Sequence, residues 1–299
     1  MNFKEQYKEY QNIIENRIKA FFKEKDMPQK SVLNAMRYAI TAGGKRIRPV
    51  MTLAAADVCN ADMNDAEYVA LAVECIHNYS LVHDDLPCMD NDDLRRGRPT
   101  CHKVFPEEIA LLAGDGLLNT AFEILSDEAV FKSLKSERVL KIINRMSSAS
   151  GVYGMIGGQV VDLECEDRND VSLEELKYLH ENKTGQLIRA ALVCGCLCGD
   201  AETTDRYISI FDEYGKHLGM AFQIKDDILD VEGDEAVLGK PIGSDKDCNK
   251  NTFVTLLGAE SAKECLKSET ELAKAALEPL GEKKRFFEDM ADFLLERRY

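Results

Sequence analysis

The 299-residue chain carries 53 Asp and Glu against 38 Lys and Arg, a formal net charge of −15, and is 45% hydrophobic. That acidity excludes the basic stripe a nucleic-acid binder needs, while the apolar fraction is ample for a sizeable core. The N-terminus has no basic stretch leading into an apolar run, and no uninterrupted apolar stretch reaches a membrane span, so a soluble, cytoplasmic protein is expected.

Nearly every segment has helical periodicity. Phe3, Tyr7, Ile14, Ile18 and Phe21 form a stripe from the start. Pro49 suits the first turn of a helix. Asn64 or Asp65 is placed to cap a long helix through Val69, Val73 and Ile76. Further helices are expected over Glu107–Leu125 and Ser136–Met155. Ser172 with Glu175 forms a capping-box pattern, and Ser261 with Glu264 repeats it. Apolar periodicity over Ile208, Phe211, Leu218, Phe222, Ile228 and Leu229 marks another long helix. No alternating strand is evident, and Gly and Pro sit mainly at joints. The expected fold is all-α, a single-domain bundle of about ten helices over residues 1–299. Only Val231–Asn251, rich in Gly, Asp and Lys, lacks periodicity, and it reads as a mobile lid closing on a phosphate, with a plain disordered excursion as the alternative. Ten cysteines without a CxxC pair are expected to be reduced core residues.

Two aspartate clusters carry most of the chemical information. One is Asp84-Asp85 with Asp90; the other is Asp226-Asp227 with Asp230, where Asp226 and Asp230 share a helix face at i and i+4. Taken singly, each cluster also reads as a solvated acidic face. Together, bordered by Lys and Arg, they suggest hard oxygen ligands for Mg²⁺ shared with substrate phosphates. In Gly43-Gly44-Lys45-Arg46-Ile47-Arg48-Pro49 the glycines permit close backbone approach, and Lys45 and Arg48 can grip a diphosphate; a basic surface turn is the plainer alternative. Arg95-Arg96 follows the first cluster similarly. His77, seven residues before Asp84, falls on the same side of its helix, along the face of the metal ligands, with a purely structural histidine as the plainer alternative. Thr184 and Gln223 add polar groups to otherwise apolar helices.

GGKRIRP, ECIHNYSLVHDD, DDLPCMDNDDLRRGRPTCHK, LAGDGLL, KTGQLI, GMAFQIKDDILD and LGKPIGSDKDCNKNT occur in this order. The chain thereby resembles the short-chain polyprenyl diphosphate synthases, the trans-prenyltransferase family, over essentially its whole length. The two extra residues between Asp85 and Asp90 match the bacterial form of the first motif. The resemblance implies a single polyprenyl synthetase domain of isoprenoid synthase type, with a central catalytic cavity. It implies Mg²⁺-dependent condensation of isopentenyl diphosphate with dimethylallyl and then geranyl diphosphate. Asp84, Asp90 and Asp226 would bind metal, with Asp85, Asp227 and Asp230 orienting. Arg95, Lys183 and Lys240 would hold the allylic diphosphate; Lys45, Arg48, His77 and Arg96 would hold isopentenyl diphosphate. Thr184, the Lys183 carbonyl and Gln223 would stabilise the allylic cation. Tyr79, five residues before Asp84 and about 7.5 Å deeper, would stop growth at the fifteen-carbon farnesyl product, against a geranylgeranyl or geranyl alternative. A homodimer is implied as well.

Three other readings fit less well. A terpene cyclase needs no second diphosphate grip and mixes Asn, Ser/Thr and Glu in its second metal motif. A metal phosphohydrolase would want several histidines in one site, and five are spread along this chain. A non-catalytic partner subunit would be expected to have lost part of an aspartate cluster, and both are intact.

Overall fold

Asn2 opens the first helix by accepting the Glu5 N–H, while Glu5 reaches back to the Asn2 N–H, a complete capping box. The computed structural model describes residues 1–166, 168, 170–232 and 251–296. They form α1 (Phe3–Phe21), α2 (Lys30–Ile40), α3 (Ile47–Val58), α4 (Met63–Asp84), β1 (Leu94–Arg95), β2 (Arg98–Pro99), α5 (Cys101–Val104) and α6 (Glu107–Ser126). Then follow α7 (Ser136–Ser150), α8 (Met155–Cys165), α9 (Leu173–His180), a π-helical turn (Glu181–Gly185), α10 (Gln186–Leu197) and α11 (Ala201–Glu232). After residue 250 come α12 (Phe253–Leu257), α13 (Ala259–Ala276), a 3₁₀ segment (Glu278–Lys284) and α14 (Arg285–Glu296). The all-α expectation holds, although the helices outnumber ten, partly because α5 and α12 are only about one turn each.

Two compact units emerge: Met1–Ile143 with Leu197–Asp200, and Asn144–Cys196 with Ala201–Tyr299. In the first, α4 packs along α6 and α3, and α1 lies against α3 and α4. Ile14, Ile18, Met51, Leu53, Leu71, Ile76 and Leu117 are fully buried there. In the second, α11 packs along α13, and a core of Leu176, Ala221, Ile224, Ile228, Phe253, Ala262 and Leu266 underlies the end of α11.

Several local expectations need correction. Asp62, not Asn64 or Asp65, caps α4. Asp65 is buried instead, and its carboxylate accepts the N–H groups of Lys132, Ser133 and Leu134 at 2.9, 2.8 and 2.8 Å. The periodic stretch Ser136–Met155 breaks into α7 and α8 around Gly151–Gly154. Ser172 and Glu175 do form a capping box, but Ser261 lies inside α13, whose N-cap is Gly258. A two-residue hairpin also exists: Arg96 and Gly97, both at positive φ, turn β1 back onto β2. Among the described residues all nine cysteines are free, and most are buried. Among the described residues one helix, α6, is long and apolar enough by composition to cross a membrane, and 44% of that window is buried inside the protein. The expected lid over Val231–Asn251, with Lys240, lies outside the described residues except at its ends, where α11 runs to Glu232 and Asn251 donates to the Cys165 and Arg168 carbonyls.

Candidate active site

The first aspartate cluster begins where α4 stops. Residues 85–89 form tight turns, and the Asp90 N–H returns to the Asp84 carbonyl at 2.9 Å. The extra residues between Asp85 and Asp90 thus fold the motif back on itself and bring the backbone of one metal candidate to the other. Asp84 is half-buried and Asp90 exposed, whereas Asp85 is buried. Asp85 accepts from Arg95 Nε at 2.6 Å, and Arg95 also lies 3.4 Å from Asp92. Burial still pushes the Asp85 carboxyl above its ordinary value, with Arg95 opposing. The second Asp of the motif therefore fixes an arginine.

The GGKRIR segment is a turn of unusual backbone. Gly43, Gly44 and Arg46 have φ of 81°, 118° and 55°. An alanine Cβ at position 44 would stand 2.7 Å from Arg96 Cζ, so glycine admits the guanidinium, which donates to the Gly43 carbonyl. Arg48 Nη1 is 3.5 Å from His77 Nε2. Burial, then Arg48, Arg96, Arg46 and Arg95, hold His77 well below its ordinary pKa, so the imidazole is neutral at pH 7. His77 thus lies among the arginines that the motif places with it for isopentenyl diphosphate.

In the second unit, Lys183 and Thr184 lie in the π-helical turn, a widened ring that the sequence did not reveal. Two glycines press on it. A Cβ at Gly158 would stand 2.2 Å from Lys183 N, and one at Gly219 would stand 2.8 Å from Gly185 Cα. Lys183 Nζ pairs with Asp162 Oδ2 at 2.5 Å, and Thr184 Oγ1 donates to Gln223 Oε1 at 2.5 Å. Asp226 is half-buried one turn beyond Gln223. Asp227 is buried, accepts the Phe253 N–H at 2.7 Å and lies 3.5 Å from His180 Nε2. It anchors the start of α12, while Asp230 is buried below.

Tyr79 is buried on α4 with its ring edge-on to His83 at 5.8 Å. Its Oη has no hydrogen-bond partner among the described residues. His83 needs the absence of a side chain on α6, since a Cβ at Gly114 would stand 2.1 Å from its Nε2. Residues that sequence reasoning passed over are Asp162, paired with Lys183, and Glu74, which accepts from Arg46 at 2.5 Å. Both are single acids in helical stretches, and their sequence offers no signal beyond that.

Among the described residues no three His, Cys, Asp or Glu side chains converge into a cage for a metal. Carboxylate oxygens in ones and twos fit Mg²⁺, which is held by one or two carboxylates and completes its shell with substrate phosphates and water.

A polyprenyl synthetase family model matches residues 29–290. The chain belongs to that family. It is 43% identical over 284 residues to a farnesyl diphosphate synthase of Bacillus subtilis, covering 95% of this chain and 94% of that one. Among solved structures it is similar to an FPP/GFPP synthase from Zymomonas mobilis, with a TM-score of 0.86, 36% identity, and coverage of 98% and 99%. It is also similar to a Helicobacter pylori geranyltransferase complexed with magnesium and isoprenyl diphosphate, with a TM-score of 0.80, 33% identity, and coverage of 97% and 96%. The family match spans residues of both compact units.

Proposed function

We propose that the protein is a Mg²⁺-dependent prenyltransferase that condenses isopentenyl diphosphate head-to-tail with dimethylallyl and then geranyl diphosphate, giving farnesyl diphosphate. The observation that carries this is the 43% identity, over nearly the whole chain, to a farnesyl diphosphate synthase, with both aspartate clusters intact. Mg²⁺ held by Asp84, Asp90 and Asp226 with phosphate oxygens would supply Lewis acidity for the charge left on the departing diphosphate.

The chain's own residues have distinct tasks. Lys183 and Arg95, with Lys240, hold the allylic diphosphate while its C–O bond breaks and the electron pair leaves with the diphosphate. Asp162 fixes the Lys183 ammonium and Asp85 fixes the Arg95 guanidinium, so neither cation must be ordered during the reaction. The Thr184–Gln223 pair and the Lys183 carbonyl present fixed dipoles to the allylic cation. Lys45, Arg48, His77 and Arg96 hold the isopentenyl diphosphate, whose double bond attacks the cation. The proton lost to restore an alkene passes to the released diphosphate. Neutral His77 offers a hydrogen bond without adding another charge to the arginine group.

Exposed Leu111 and Leu112 on α6 and Leu140 on α7 are apolar surface that a homodimer would cover. Incubating the purified chain alone with isopentenyl and dimethylallyl diphosphates and Mg²⁺, then chromatographing the dephosphorylated products, tests the activity. Farnesol as main product is expected; a cyclic terpene or no prenyl product would refute it.

A further inference from the structure

The family model starts at residue 29, so α1 lies wholly outside the matched segment. One flank of α1, Tyr10, Ile14 and Ile18, is buried. A second flank carries Tyr7, Gln11 and Glu15, spaced at i, i+4 and i+8 and so aligned in one row along the helix. All three reach the turn that bears Lys45 and Arg48. Tyr7 Oη donates to the Lys45 carbonyl at 2.5 Å. Gln11 Nε2 donates to the Gly44 and Lys45 carbonyls at 3.3 and 3.5 Å. Glu15 Oε1 accepts from Arg46 Nε at 2.8 Å.

Arg46 is the centre of this arrangement. Its side chain is fully buried and its backbone is left-handed at φ 55°, a costly conformation for a bulky residue. Every guanidinium nitrogen donates inward. Nη1 goes to Glu74 at 2.5 Å and Nη2 to the Ile40 carbonyl at 2.7 Å, besides Nε to Glu15. Arg46 is therefore an anchor and not a diphosphate contact. Glu74 on α4 is buried, and Asn78 Nδ2 donates to the same Oε1 at 2.9 Å. Burial opposes the charge of Arg46, but the Glu74 and Glu15 carboxylates more than offset it.

A turn containing two glycines at positive φ has many alternative conformations when unheld, and ordering it at the moment of binding would weaken affinity. We propose that Tyr7, Gln11 and Glu15 of α1, with Glu74 of α4, are positioning residues that clamp residues 43–48 and so preset Lys45 and Arg48 for the diphosphate of isopentenyl diphosphate. This rests on the assignment of that turn to isopentenyl diphosphate made above. The two carboxylates also offset the mutual repulsion of Arg46, Arg48 and Arg96.

The test is a triple variant, Tyr7→Phe, Gln11→Ala and Glu15→Gln, which leaves Tyr10, Ile14 and Ile18 in place. KM for isopentenyl diphosphate should rise about tenfold, the loss of roughly one tenfold step in affinity. KM for dimethylallyl diphosphate and kcat should stay within about twofold, because only one substrate's grip has been loosened. Restoring Glu15 alone should recover most of the loss. Amide exchange at residues 43–48 should quicken in the variant without any substrate. Unchanged exchange would overturn the clamp, and so would an equal rise in both KM values with a fall in kcat, the mark of general destabilisation. If wild type neither binds nor consumes isopentenyl diphosphate, the substrate assignment fails, while the exchange measurement still decides the clamp.

Discussion

Lys183 Nζ stands 2.5 Å from Asp162 Oδ2, so the lysine proposed to meet the allylic diphosphate is held by a carboxylate one helix away. An ammonium has three donors and can keep this partner while turning another to a phosphate oxygen. We therefore expect Lys183→Ala to lower kcat/KM for dimethylallyl diphosphate by about a hundredfold, on the scale of a lost charge-assisted contact in the transition state. Asp162→Asn should cost less, about tenfold, since the lysine remains but its orientation loosens. Steady-state kinetics with each substrate varied separately checks the order. A larger effect from Asp162→Asn than from Lys183→Ala would reverse the assigned roles.

We propose that Tyr79 sets product length. Its ring is buried against His83, and its Oη is buried without a partner among the described residues. A buried unsatisfied hydroxyl is a cost the fold carries, so Tyr79→Phe should keep the fifteen-carbon product and leave stability equal or higher. Tyr79→Ala should lengthen the main product towards geranylgeranyl diphosphate, because it removes the ring and opens space towards the smaller Cys75, buried one turn earlier on α4. Chromatography of the dephosphorylated products reads both outcomes, and an unchanged fifteen-carbon product from Tyr79→Ala would move the length determinant elsewhere.

Stability away from the site depends on Asp65. Its carboxylate closes three successive backbone N–H groups at residues 132–134 while itself almost wholly buried. Asp65→Ala leaves those donors without their acceptor and should cost about 3 kcal/mol. Denaturant unfolding should show a lower midpoint, and a variant within experimental error of wild type would show that water replaces the carboxylate.

A pH dependence follows from His77. Burial and the Arg48, Arg96, Arg46 and Arg95 guanidiniums place its folded pKa well below the ordinary 6.5. The unfolded chain then binds a proton that the folded chain refuses, so this contribution is intact above about pH 6.5 and is lost as pH falls below it. His77→Gln should flatten the stability profile between roughly pH 6.5 and 5. Parallel profiles for variant and wild type would mean that the imidazole is not depressed.

Helical periodicity made the all-α class and the run of α11 through Asp226 legible from sequence. What stayed hidden depends on contacts distant in the chain. Asp65 reads as a helix cap until residues 132–134 are seen folding over it. His77 meets the guanidinium of Arg48, 29 residues earlier in the chain, a partner that its helical spacing does not announce. The π-helical turn at Lys183 is packed closely by the backbone at Gly158 and Gly219, and no local propensity announces it. Arg95 and Asp85 show the reverse case, where adjacency in the motif and pairing in space agree.

The most direct test of the central claim is turnover of isopentenyl and dimethylallyl diphosphates by wild type, Asp84→Ala and Asp226→Ala, each with Mg²⁺ and with EDTA, with circular dichroism to verify folding. Wild type with Mg²⁺ should make farnesyl diphosphate, EDTA should abolish it, and each folded variant should lose several orders of magnitude in kcat, because each lacks a ligand that acts on charge developing in the transition state. Near-wild-type turnover by either variant, or product formed without divalent metal, would contradict the proposed chemistry.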